Sequence, residues 1–209
     1  MATNAAFWDR IADRYARRPV RDVAAYEHTL ERTRAHLAPG DRVLEVGCGT
    51  GTTALKLADA AGEILATDLS ARMIAIAEAK PEAAAARNVA FRRAALDEIA
   101  RDGERFDAVL AFSLLHLLDD LPAGLSRIDA LLKPGGTFVS KTVCLGDFGR
   151  IWRLVVPAMR LVGLAPKVAL VSIDEVDRAI REAGFEILET GVSPEKPPAR
   201  FVAARKPSA

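Results

Sequence analysis

Residues 42–52 read Arg-Val-Leu-Glu-Val-Gly-Cys-Gly-Thr-Gly-Thr, a passage that few folds accommodate. An apolar, β-branched run stops at three glycines in alternate positions, and a helical pattern with Leu55, Leu57 and Ala58 on one face follows it. Glycine is needed where a chain turns sharply out of a strand, since positive φ is open to it. Bare backbone also lets a ligand come close, beside a helix start that favours negative groups. The spacing predicts a helix running to Ala60, capped by Thr50 or Thr52.

The same alternation then repeats. Short β-type runs are expected at 63–67, 89–93, 106–112 and 137–143, with helical patterns between them. Ser70 is placed to cap the helix carrying Met73, Ile74, Ile76 and Ala77. A helix near 121–132 is expected to stop at Lys133-Pro134-Gly135-Gly136. This is the signature of βαβ units and a mostly parallel sheet in a three-layer α/β sandwich. Ahead of it, 5–15 and 23–37 read as two helices. Behind it, Ser172 and Glu175 form a capping-box pattern for a helix ending near Gly184, and 185–190 and 200–205 read as strands joined by a Pro-rich loop.

A chain of 209 residues, half of them hydrophobic, suits one domain with a sizeable core. Its expected organisation is a helical cap over 1–40, a ligand-binding core over 41–144, an insertion over 145–171, and a C-terminal helix and hairpin over 172–209. The net charge of +1 gives no electrostatic case for a nucleic-acid partner. Arg14, Arg17, Arg18 and Arg21 read as the solvated face of a helix. Cys48 and Cys144 make neither a disulfide framework nor a metal-type pair, and His28 and His36, eight apart, lack the spacing of a metal pair. No metal is expected. The N-terminus carries charge where a secretory signal needs an apolar run, and the apolar stretch 151–171 is broken by charges, prolines and glycine, so a cytoplasmic location is expected.

The ligand is constrained by three details. The glycines are spaced G-x-G-x-G rather than the G-x-G-x-x-G of dinucleotide sites. The second strand ends at Asp68, whose carboxylate can accept hydrogen bonds from two ribose hydroxyls. Glu45 stands two residues before the first glycine, where it can brace the turn or receive a cationic group.

Val43-Leu44-Glu45-Val46-Gly47-Cys48-Gly49-Thr50-Gly51 resembles the first motif of class I S-adenosylmethionine-dependent methyltransferases. Ala66-Thr67-Asp68-Leu69-Ser70 with Met73 is similar to their second. Phe106-Asp107-Ala108-Val109-Leu110 with Leu115-His116-Leu117, and Leu131-Leu132-Lys133-Pro134-Gly135-Gly136, resemble their fourth-strand region and the turn before their fifth strand. The resemblance implies a seven-stranded, Rossmann-like sheet in the order 3-2-1-4-5-7-6, the last inserted strand antiparallel. It implies S-adenosylmethionine as cofactor and S-adenosylhomocysteine as product. Glu45, Gly47, Cys48, Gly49, Gly51 and Ser113 would then surround the methionine end. Asp68 would hold the ribose, and Leu69 and Met73 would lie against the adenine, with Ala95 and Leu96 alongside. Many relatives carry an Asp at the position of Ala95. Asp97 comes two residues late and is expected on another side of the chain.

Methyl transfer needs alignment more than a fixed set of catalytic groups, so the acceptor is less legible than the cofactor. His116, past the fourth strand, is a candidate base or substrate contact, or else a packed core residue. Cys144 and Asp147 follow the fifth strand and are candidate pocket residues, whereas Cys48 reads as a small filler. Phe7-Trp8-Asp9-Arg10-Ile11-Ala12-Asp13-Arg14-Tyr15 resembles the cap helix of small-molecule methyltransferases, with Tyr15 closing over the cofactor; Phe7, Trp8, Ile11 and Tyr15 equally make an apolar packing stripe. Trp152, Leu154, Val155, Val156, Met159, Leu161 and Leu164 suit a greasy lid, and thus a lipophilic or aromatic acceptor. The same residues suit a dimer interface or a peripheral membrane contact, so the chain is expected to be a monomer or homodimer. The competing readings are a nicotinamide-dependent oxidoreductase and a binding protein without turnover.

Overall fold

The computed structural model describes residues 2–149, 151–161 and 165–208. Seven strands form one sheet in the order β3-β2-β1-β4-β5-β7-β6. They are β1 (Arg42–Val46), β2 (Glu63–Asp68), β3 (Val89–Arg93), β4 (Phe106–Phe112), β5 (Leu132–Val143), β6 (Glu186–Glu195) and β7 (Pro198–Arg205). The first five run parallel, and β7 lies antiparallel between β5 and β6.

Alternate side chains divide between the two faces, as strand periodicity requires. Leu44, Val46, Val109 and Phe138 meet α6 (Leu96–Arg101), α7 (Leu121–Leu131) and α9 (Ile173–Glu182) through Ile99, Leu125, Ile128 and Ile180. Val43, Ile64, Leu110, Val139 and Phe201 meet α2 (Val23–Arg34), α3 (Thr52–Lys56) and α4 (Ala71–Glu78) through Leu30, Ala54, Leu57 and Ile74. With both faces covered, the central strands read as nearly continuous apolar runs.

Local chemistry fixes the helix starts. Ser70 accepts from the Met73 N–H (3.1 Å), and Ser172 and Glu175 make the expected reciprocal box (3.2 and 2.7 Å). The helix after the glycine turn differs from expectation. Gly51 itself, at φ +72°, is the cap; α3 has five residues and gives way to a single 3-10 turn at Ala58–Ala60. A β-carbon at Gly51 would lie within 2.8 Å of Phe91 and Ala77, so the position is sterically closed to other residues.

β5 begins at Leu132, because Lys133-Pro134-Gly135-Gly136 continues the extended chain through a register shift opposite β4 instead of ending outside the sheet. The helices α5 (Pro81–Ala85) and α6 are short, and α6 was not anticipated. β6 and β7 extend through the proline-rich segment to Glu195 and Pro198, leaving a tight hairpin.

Two N-terminal helices roof the sheet, held at opposite ends. α1 (Ala2–Ala16) docks on α4: Asp9 accepts from the Ser70 hydroxyl (2.6 Å) and the Arg72 N–H (3.0 Å), and Asp13 accepts two bonds from Arg72. α2 is tied to the far edge, where Glu189 of β6 binds both Arg32 and His36, and the Arg32 guanidinium lies 4.7 Å from the Phe201 ring centre. Leu154 and Leu161 of α8 (Trp152–Leu161), and Ile151 just before it, are largely exposed. No described helix is long and apolar enough to cross a membrane.

Candidate active site

A cavity of about 880 Å³ opens where β1, β2, β4 and β5 end, beneath α1, α2 and the segment joining them. Eleven of the residues singled out from the sequence line it: Tyr15, Glu45, Gly47, Cys48, Gly49, Asp68, Leu69, Met73, Ala95, Leu96 and Ser113. Gly51 stands behind the turn, packed on Phe91 and Ala77.

The turn is built around Asp68. One carboxylate oxygen accepts from the Gly49 N–H (2.9 Å) and the other from the Ser70 N–H (2.8 Å), which fixes the side chain and leaves lone pairs toward the cavity. Burial raises the Asp68 pKa, and these backbone bonds oppose the rise. Gly49, at φ +53°, has open space where a β-carbon would project, bounded 4.0 Å away by the Tyr15 ring. Tyr15 in turn meets Trp8 edge-to-face at 6.0 Å, so α1 supplies an aromatic rim as well as an apolar stripe.

Glu45 is almost wholly buried, and its Oε2 has no hydrogen-bond partner. Burial pushes its pKa up to about 8, against the Ala54 N–H that donates to it. An unpartnered carboxylate oxygen in a buried wall is costly unless a ligand satisfies it. The neighbouring Cys48 thiol is pushed well above its usual range by burial and by both acidic side chains. Ser113, past β4, holds φ +52°, uncommon for a side chain with a β-carbon, and donates its N–H to Lys141 O (2.7 Å).

Several expected residues lie elsewhere. The 3-10 turn after β4 aims Leu114 and Leu117 at the cavity and buries Leu115 and His116. The His116 ring therefore does not line the cavity; burial lowers its pKa to about 4, and its carbonyl accepts from the Ala169 N–H (2.7 Å). Cys144 is buried against Thr142 O, and Asp147 accepts from the Ile173 N–H at the start of α9; neither lines the cavity. No described residue of the 145–171 insertion lines it either, and Leu164 lies outside the described residues.

Sequence reasoning missed the other wall. Tyr26 and Thr29 of α2, Lys141 of β5, and Pro194, Pro197 and Ala199 of the hairpin line it, while Arg18 and Arg21 stand exposed at its mouth rather than on a helix. Asp97 also lines the cavity, because α6 begins at Leu96 and turns its carboxylate to Arg127 (2.5 Å). One signal was present: Lys141 is a lysine between Val139 and Val143 on one strand face.

A profile described as a methyltransferase domain matches residues 43–136, the stretch that carries β1 to the start of β5. The chain belongs to the class I S-adenosylmethionine-dependent methyltransferases. Within that superfamily it is 32% identical over 163 residues to 27-O-demethylrifamycin SV methyltransferase of Amycolatopsis mediterranei, covering 72% of this chain and 56% of that protein. It is 29% identical over 150 residues to a ubiquinone biosynthesis O-methyltransferase of Azorhizobium caulinodans, covering 68% and 59%. The chain thus spans less than two thirds of the length of these relatives. Magnesium protoporphyrin IX methyltransferase from Synechocystis, solved with bound S-adenosylhomocysteine, superposes with TM-score 0.70 at 20% identity over 97% of this chain and 95% of that one. That likeness shows the shared fold.

Proposed function

We propose that this chain transfers a methyl group from S-adenosylmethionine to a small lipophilic acceptor. The observation that carries the reading is the orphaned, buried carboxylate of Glu45 beside a glycine turn pinned to Asp68. A cofactor bearing an ammonium, a ribose diol and a flat base fits that wall. Glu45 would take the ammonium, Asp68 the diol, Leu69, Met73, Ala95 and Leu96 the base, and Gly47, Cys48, Gly49 and Ser113 the connecting chain. When bound, the cofactor supplies a methyl carbon made electrophilic by its sulfonium.

The chain's own residues align and enclose. The open face of Gly49 lets the ligand lie on backbone, Tyr15 covers it, and the α1–α4 bonds hold that cover in place. The apolar second wall of Phe112, Val143, Pro194, Pro197 and Ala199 suits an acceptor with an apolar body. Both relatives above are named for small acceptors, one as an O-methyltransferase, which supports the same class here. We place the activity in the cytoplasm as a monomer or homodimer, with the exposed face of α8 as the surface for a second copy or a membrane.

Calorimetry tests the cofactor directly. Binding of S-adenosylhomocysteine at submillimolar concentration is expected, with no quenching of NADH fluorescence. No binding of S-adenosylhomocysteine, or saturable binding of NADH instead, would overturn the reading.

A further inference from the structure

Among the cations that line the cavity, Lys141 is one to which the cofactor reading assigns no role. Lys141 sits on β5 in register with Phe112 of β4 and Phe201 of β7, so it projects from the same sheet face, beneath α2. It is half-buried and lines the cavity. Its ammonium donates to Thr29 Oγ1 (2.5 Å) and Ala25 O (3.2 Å). The Thr29 hydroxyl itself donates to Ala25 O (2.7 Å), which turns a lone pair toward the lysine. Two of three ammonium hydrogens are thus held by neutral acceptors of α2.

Among the described residues no carboxylate lies within ion-pair distance of Lys141. Asp22 acts on it only through space, and burial lowers its pKa. A half-buried cation with neutral partners is poorly compensated. Its surroundings, Phe112, Val143 and Ala199 with the Tyr26 ring, suit a flat apolar body.

We propose that Lys141 is the acceptor-binding residue, and that its third ammonium hydrogen holds the ionised oxygen of a phenolic acceptor. This deepens the function proposed above and rests on it. The phenol gives its proton to solvent, and Lys141 keeps its own. An oxygen lone pair then forms the O–CH3 bond as the S–CH3 bond breaks, its electron pair passing to sulfur. The phenolate's negative charge and the sulfonium's positive charge disappear together, and the neutral ether no longer binds a cation, which favours release.

The test uses 4-nitrocatechol, whose phenolate absorbs at longer wavelength than its phenol, added to protein saturated with S-adenosylhomocysteine in buffer below the probe's own pKa. The expected result is a phenolate band in the wild type. Lys141→Met should abolish the band and weaken probe binding on the order of ten- to a hundredfold, the worth of one charge-assisted hydrogen bond. Lys141→Arg should restore the band, which a merely structural role would not predict. Absence of the band in the wild type with S-adenosylhomocysteine bound, or its persistence in Lys141→Met, overturns the assignment of Lys141. Failure of the wild type to bind S-adenosylhomocysteine is a separate result, and strikes the methyltransferase reading instead.

Discussion

Replacing Glu45 with Gln removes an ionisable group from the most enclosed part of the cavity wall. Below about pH 4.5 the carboxyl is neutral in folded and unfolded chains alike, and it costs nothing. Between there and about pH 8 the unfolded chain ionises while the folded chain stays protonated. Stability therefore falls as pH rises through that window, by about 1.4 kcal/mol per unit, and levels off above it. At pH 7 the accumulated cost is about 3 kcal/mol. Glu45→Gln keeps the acceptor for the Ala54 N–H and loses the titration, so it should be more stable than wild type at pH 7, by up to that amount. Urea unfolding from pH 5 to 8 should show a falling wild-type curve and a flatter variant. Ligand binding carries the opposite sign. An ammonium placed against Glu45 favours the ionised form, so S-adenosylhomocysteine should displace nearly one proton (about 0.9) per molecule bound at pH 7. Calorimetry in two buffers of different ionisation enthalpy measures that proton. A buffer-independent enthalpy, or a Gln variant that is less stable at pH 7 and binds the ligand as tightly, would refute the reasoning.

Two glycine substitutions should separate steric from ligand effects. Gly51→Ala meets Phe91 and Ala77 at positive φ and should cost about 2–4 kcal/mol in urea unfolding. Gly49→Ala enters open space and should cost about 1 kcal/mol while cutting S-adenosylhomocysteine affinity far more. His116→Ala should lower stability by about 2 kcal/mol and leave cofactor affinity unchanged; selective loss of turnover at unchanged stability would restore His116 as a base. Arg200 and Asp177 form a two-bonded pair between β7 and α9 (2.9 and 2.5 Å), and Arg200→Met should cost about 3 kcal/mol by leaving Asp177 uncompensated.

The cofactor wall was legible because its constraints are local. Strand, glycine turn and Asp68 lie in one short stretch of chain, and the backbone of Gly49 binds the carboxylate that the sequence singled out. The parallel strands were legible for a related reason, since burial on both faces leaves long apolar runs between turns. The acceptor wall was not legible, because it arises where α2, β5 and the hairpin meet from three distant parts of the chain. Lys141 acquires its meaning only from Thr29, 112 positions away. Lys133-Pro134-Gly135-Gly136 does end the helix, at Leu131, but the sheet reaches back past it to Leu132 through a register shift; for His116, a single 3-10 turn selects the packed alternative.

The two roof helices answer to different foundations. α1 is bolted to the helix after β2, α2 to Glu189 and Phe201 at the opposite rim, and the exposed arginine-rich link between them belongs to neither. α2 is also tied to α3, through the Tyr26 and Thr53 hydroxyls (3.2 Å) and the Lys56–Glu27 pair (2.6 Å), so its second support is the helix that follows the glycine turn. On the function proposed above, substitutions in the hairpin would reshape the acceptor wall while the cofactor's berth under α1 keeps its own supports. Under that proposal, a new acceptor would be accommodated by remodelling one eave of the roof.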